Sequence, residues 1–215
     1  AKIEIIDHKE IFRGYEDCLP TFNSTSIISM LHRIPNISEQ FVFFNDDVFL
    51  TRPMSEDAFF ENGCPVQRGG WMGRSLPMIE RLRSALFVLI RVPREKRRLS
   101  SKGWMLAASR LAGISHKTFI ATHVPHPLRQ TTLSNFEERN KDLWRKNASF
   151  KFRVQDQFVP ESLAYHLEFK NETAVEKDRT ELVYIRSVTK DIFQIRAKLD
   201  EVRQDNNIKF LCIQN

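Results

Sequence analysis

The sequence predicts an α/β fold, and three observations carry that expectation. The run Phe41-Val-Phe-Phe44 is continuously apolar, as a strand buried on both faces would be. Near 189–203, Ile192, Ile195, Leu199 and Val202 recur at spacings of 3, 4 and 3 residues, which is helical periodicity. Strand-like and helix-like stretches alternate along the chain.

In order, residues 2–6 read as a first strand, followed by a loop that ends in Leu19-Pro-Thr-Phe-Asn-Ser24. Ser24 or Thr25 can cap a helix over 25–33, with Ile27, Ile28 and Leu31 on its apolar side, and Pro35 ends it. The strand at 41–44 stops at Asn45-Asp46-Asp47. Val48-Phe-Leu50 resumes apolar character before the Arg52-Pro53 turn. Residues 61–80 hold four glycines and predict an irregular loop. A short helix is expected over 103–111. Pro125 and Pro127 keep His123-Val-Pro-His-Pro127 extended. Helices follow over 131–145, over 160–169 with Pro160 in the first turn, and over 189–203; a last strand covers 208–213.

Composition narrows the function classes. With 215 residues the chain suits one domain, or one domain with an insertion. It is 41% hydrophobic and 28% charged, which is globular and not disordered composition. No apolar run approaches the ~18 residues of a spanning helix. Three cysteines at 18, 64 and 212 make neither a metal-finger pattern nor a disulfide scaffold, and a reducing compartment is the simpler reading. The net charge of +6 equals the charge of the window Arg81–Arg98 alone, which holds seven Lys/Arg and one acid. One basic cassette in a neutral protein disfavours a nucleic-acid partner. It suits an anionic membrane surface, a polyanionic acceptor or a solvated face.

Three motifs could carry chemistry. Two adjacent acids, Asp46 and Asp47, close a buried strand and need compensation. They suit a hard cation that in turn holds a diphosphate, or a solvated turn cap. His123 and His126 are held by prolines at low entropic cost, so either imidazole can exchange protons near neutral pH; a structural turn is the plainer alternative. Phe150-Lys-Phe-Arg153 places Lys151 and Arg153 on one face of an extended stretch, where an arginine can grip phosphate; a half-buried strand with a solvated basic face is the plainer reading. His8, His32, His116 and His166 lack clear local partners and read as structural. Trp71, Trp104 and Trp144 read as packing residues.

Taken in order, these motifs resemble the Stealth family of sugar-1-phosphate transferases, which includes capsular polysaccharide phosphotransferases. The likeness is carried by His8-Lys-Glu-Ile-Phe12, Leu19-Pro-Thr-Phe-Asn-Ser24, His32-Arg-Ile-Pro35 and Phe44-Asn-Asp-Asp47, which match the family's second conserved region. His123-Val-Pro-His126 through Phe152-Arg153 to Asp156 is similar to the third, and Lys209–Asn215 to the opening of the fourth. The first region is expected upstream of Ala1, and Gln214-Asn215 stands where the family often has Asn-Asp.

The resemblance implies a Rossmann-like, glycosyltransferase-A-like core, incomplete at both ends. Residues 1–215 would form a single catalytic-domain fragment that can lack activity by itself, with 61–120 a loosely matching insertion around the cassette 81–98. It implies transfer of a hexose- or hexosamine-1-phosphate from a UDP-sugar to a glycan hydroxyl, with release of UMP. Asp47, His123, Arg153 and His126 would be catalytic, with the base open between Asp47 and His123. Asn23, Ser24, Asn45 and Arg129 would contact substrate, and Asp46 and Asp47 would hold Mg²⁺ or Mn²⁺. The partners implied are a nucleotide-sugar donor, a glycan acceptor and an anionic membrane surface at Arg81–Arg98. The setting implied is the cytoplasm, peripheral to the inner membrane. Two alternatives stand: a metal-dependent glycosyltransferase that releases UDP, and a basic anion- or nucleic-acid-binding module.

Overall fold

The computed structural model describes residues 3–73, 101–186 and 191–214, together with Leu86 and Leu89. The basic cassette therefore lies outside the described residues, apart from those two leucines. Helices and mixed sheets make up the described chain, an α/β fold as expected. No helix among the described residues is long and apolar enough to cross a membrane.

The first expected strand is not one. Residues 3–7 pair with no strand among the described residues, and Ile3 and Ile5 are almost fully exposed. Helix α1 (His8–Ile11) follows, capped by the Asp7 carboxylate on the Lys9 amide at 2.8 Å. Helix α2 (Ser24–Ile28) is shorter than the expected 25–33, because the chain tightens into a 3₁₀ turn at Leu31–Arg33. Its cap is Asn23 and not Ser24 or Thr25.

Strand β1 (Gln40–Phe43) pairs antiparallel with β6 (His126–Arg129), Phe43 opposite His126 and Gln40 opposite Arg129. It is half-buried, since β6 is its one partner in a two-stranded sheet. Strand β2 (Val48–Leu50) pairs antiparallel with β9 (Phe210–Gln214), Val48 opposite Cys212. On its other edge β9 runs parallel to β8 (Leu182–Arg186), where Tyr184 lies opposite Cys212.

Residues 61–80 are more regular than their glycines predict. Short β3 (Phe60–Glu61) turns into the ten-residue β4 (Cys64–Gly73), which pairs antiparallel with β5 (Lys117–Ala121) and parallel with β7 (Val175–Lys177). Gly69 is there for close approach: a Cβ on it would stand 2.4 Å from the Ile120 carbonyl oxygen and 2.7 Å from the Phe119 ring. Among the described residues β4–β7 and β8–β9 are the parallel ladders, so no continuous parallel sheet of a Rossmann-like core is present in them.

Helix α3 (Ser101–Leu111) precedes β5, and the described part of 61–120 packs into the main core through Trp71, Ala108 and Phe119. The helix expected over 131–145 is two: α4 (Gln130–Arg139) and α5 (Lys141–Ser149), broken at Asn140, whose φ of −136° and ψ of 44° leave the helical region. Helix α6 (Pro160–Lys170) lies under β5 and β6, burying Leu163, Ala164, Tyr165 and His166. Helix α7 (Ile192–Gln204) packs Val202, Ile195 and Leu199 against β8. Residues 150–153 form no strand. Phe152 swings out and stacks on Phe22, the ring centroids 5.8 Å apart.

Candidate active site

Asp47 occupies the turn between β1 and β2. Because β2 pairs with β9, the Ile213 amide donates to the Asp47 carbonyl at 2.9 Å, and the end of β9 lies beside the turn. The Gln214 side chain then donates its amide to Asp47 Oδ2 at 2.7 Å. Its own carbonyl accepts from the Tyr184 hydroxyl, which fixes the amide orientation. On the opposite side runs the loop from β5 to β6. The Thr122 amide donates to the Arg68 carbonyl at 2.8 Å, and Val124 is buried against Phe59 and Phe210. Pinned on both flanks, His123 places Nε2 2.9 and 3.1 Å from the two Asp47 carboxylate oxygens.

The electrostatics define the pair. Partial burial pushes the Asp47 carboxyl up, but the bonds from Gln214 and His123 outweigh it and hold the group below the ordinary carboxylate range. An ionised carboxylate thus faces Nε2, which donates to it, and Nδ1 lies on the other side of the ring. The side chains are 35% and 22% exposed for His123 and Asp47, so both can reach a substrate. Behind them sits Cys212, fully buried, its thiol pushed up to about 12 by burial and by the Asp47 carboxylate. One donor atom from each of Asp47, His123 and Cys212 lies within 4.8 Å of the others.

The other expected site residues divide. Asp46 is exposed with no hydrogen-bond partner among the described residues, and Asn45 offers its carbonyl to the Val48 amide at 3.3 Å. His126 is in β6, its ring between Phe43 and Tyr165 at centroid distances of 6.2 and 5.5 Å. Burial, with the charge of His123 beside it, pushes its pKa down to about 3, so it is neutral and is no proton donor at neutral pH.

Arg129 is held by Glu168, through Nε at 3.0 Å and Nη2, and by Thr173 at 3.0 Å. It sits three residues along the β1–β6 ladder from His126, roughly 10 Å, with its guanidinium committed. Asn23 is buried and saturated: Oδ1 accepts from the Thr25 amide, and Nδ2 donates to the Phe150 carbonyl and Gln157. Both of its amide protons are committed to the fold, and its oxygen is engaged in the helix cap. Ser24 and Arg153 do come together, Arg153 Nη2 donating to Ser24 Oγ at 2.5 Å. Among the described residues no hydrogen bond or ion pair joins them to His123 and Asp47.

The donors that converge on His123 are not the all-oxygen set that Mg²⁺ takes, so a Mg²⁺ ion at Asp46 and Asp47 would draw its remaining oxygens from water and substrate phosphate. Mg²⁺ takes oxygen ligands in octahedral array. Here Asp47 is engaged by His123 and Gln214, and the cluster offers one oxygen, one nitrogen and one sulfur. Cys212, Gln214 and Tyr184 are residues the sequence did not reveal as site components. The likeness of Lys209–Asn215 to a conserved region was the signal that could have found the first two. Glu161 was also missed. Its Oε2 is buried without a partner, and burial pushes its carboxyl up to about 7 against the pull of Arg153.

Comparison with known proteins identifies relatives of this chain. Residues 1–67 match the model of Stealth protein conserved region 2. An exopolysaccharide phosphotransferase of Streptomyces coelicolor is 36% identical over 172 residues, 76% of this chain and 16% of the relative. A capsular polysaccharide phosphotransferase of Streptococcus pneumoniae is 30% identical over 71% of this chain and 49% of its own length. One from Haemophilus influenzae is 51% identical over 61 residues, 28% of this chain and 16% of its own. The chain thus spans at most about half the length of these relatives. Asp47 falls inside the matched region, and the contacts of residues 8–47 with β6, α4 and β9 tie the rest of the fold to it. The chain belongs to the Stealth family.

Proposed function

We propose that this chain carries the acid–base centre of a phosphotransferase in capsular or exopolysaccharide synthesis, moving a sugar-1-phosphate from a UDP-sugar to a glycan hydroxyl. The observation that carries the reading is the His123–Asp47 pair, an oriented imidazole beside an ionised carboxylate. The relatives' names as phosphotransferases support the reaction class.

His123 Nδ1 takes the proton of the acceptor hydroxyl while Asp47 stabilises the imidazolium. The hydroxyl oxygen forms a bond to the phosphorus that bears the sugar. The bond from that phosphorus to the bridging oxygen breaks, and UMP leaves with that oxygen and the electron pair. The imidazolium then returns its proton to UMP or to water. Arg153, with Ser24, is proposed to neutralise charge on the transferred phosphoryl group as the substrate draws it in. The cassette Arg81–Arg98 is proposed as the contact with an anionic lipid surface.

The test is identification of the nucleotide released from UDP-N-acetylhexosamine donors with capsule-type oligosaccharide acceptors. UMP is expected, falling by about 10²–10⁴-fold in His123→Ala and Asp47→Asn proteins that remain folded. Release of UDP would instead place the cleavage at the sugar carbon and overturn the reading.

A further inference from the structure

The O, N and S donors that meet at Asp47, His123 and Cys212 are the set that softer cations prefer. We propose that Asp47, His123 and Cys212 bind one thiophilic divalent cation of the Zn²⁺ class, with an open fourth position.

The strands assemble these ligands. Val48 opposite Cys212 sets the β2–β9 register, and the Ile213 amide on the Asp47 carbonyl brings Asp47 over the Cys212 side of β9. His123 reaches the same point from the β5–β6 loop, and the three donor atoms already lie within 4.8 Å of one another. Tetrahedral zinc, with bonds of about 2.0–2.3 Å, separates its ligands by roughly 3.5 Å. The Nε2–Oδ1 distance of 2.9 Å must open by only about half an ångström, which a cation between the two atoms does by itself.

Binding is a balanced exchange. The cation bonds to Cys212 Sγ, whose proton leaves to solvent, and to His123 Nε2, whose proton moves to Nδ1 or to solvent. Asp47 supplies an oxygen without losing a proton. Gln214 presents its N–H to Asp47 and its carbonyl to Tyr184, so it is not turned to ligate, and the fourth position falls to water or an anion. Three protein ligands and one open position are the coordination of zinc sites that exchange their fourth ligand. A filled site takes His123 Nε2 away from Asp47, so the cation and the proposed proton transfer exclude each other. The site itself does not depend on that transfer.

The experiment begins with chelator-stripped protein titrated with Co²⁺. One equivalent is expected to give intense tetrahedral visible bands and a thiolate-to-cobalt charge-transfer band. Cys212→Ser abolishes the charge-transfer band, Cys64→Ser keeps it, and Asp46→Asn leaves the spectrum unchanged. Should Cys212→Ser fail to fold, zinc-edge X-ray absorption on the wild-type protein decides alone. One sulfur at about 2.3 Å with nitrogen or oxygen neighbours supports the site. An all-oxygen-and-nitrogen shell, or a charge-transfer band that survives in Cys212→Ser, overturns it. Neither readout uses catalysis, so failure of the cation site and failure of the transferase reading are told apart.

Discussion

The Gln214 amide is uncharged, yet it governs how Asp47 serves His123. It donates to Oδ2 at 2.7 Å and is one of the two bonds that keep the carboxyl below its ordinary range. A neutral hydrogen bond to a charged acceptor is worth about 1.5–3 kcal/mol. Gln214→Ala is therefore expected to lower kcat about tenfold and to move the acidic limb of the pH–rate profile upward, with KM little changed. An unchanged acidic limb would show that His123 alone holds the carboxylate ionised. Asp47 and His123 were legible because each stands in a local motif of acids or of proline-held imidazoles. Gln214 was not, because 167 residues separate it from Asp47 and only the pairing of β2 with β9 joins them. His126 shows the converse: the motif is visible, but the pleat of β6 turns its ring between Phe43 and Tyr165.

At the scale of elements, Asn23 separates a folding role from a binding one. It caps α2 and joins that helix to the segment before α6 through Phe150 and Gln157. Loss of a cap costs about 1 kcal/mol, and each buried partner left unsatisfied about 1–3 kcal/mol more. Asn23→Ala is expected to destabilise by roughly 3 kcal/mol in denaturant unfolding while KM for donor and acceptor stays as in wild type. A changed KM in a protein of unchanged stability would return Asn23 to the substrate site. Strand β4 makes the same point about legibility. The four glycines of residues 61–80, three of them in this strand, read as a loop, because sequence does not show that Gly69 faces the Ile120 carbonyl and Phe119 ring. Gly69→Ala is expected to break the β4–β5 register there and to leave little folded protein, measured by soluble yield and circular dichroism. The helices of residues 160–204 and the last strand were legible because their apolar spacing is local.

For the whole molecule, two buried glutamates impose opposite pH dependences. Glu137 on α4 accepts from Tyr15 at 2.7 Å, Arg33 at 2.7 Å and His32 at 2.5 Å, clasping residues 15–33 to the helical layer. Burial raises its carboxyl, but the bonds from His32 and Tyr15 and the charges of His32 and Arg33 outweigh it, so its folded value lies below 4.5. Its contribution is present above the unfolded value and is lost as pH falls through the folded one. Glu161 runs the other way, raised from 4.5 to about 7 by burial. The folded state keeps that proton while the unfolded chain has released it, so this contribution is full below about 4.5 and is lost as pH rises through 7. Together they predict a stability maximum on the acidic side of neutrality. Glu161→Gln, which cannot ionise, is expected to remove the decline between pH 4.5 and 7 and to gain up to ~3 kcal/mol at pH 8. Glu137→Gln is expected to lose roughly 1–3 kcal/mol at pH 7, where the buried His32 and the part-exposed Arg33 face an uncharged amide, and to flatten the acid limb. Melting temperature against pH for the three proteins measures both effects. Parallel profiles for wild type and Glu161→Gln would mean that water reaches Oε2 and that the Glu161 carboxyl titrates as an ordinary one.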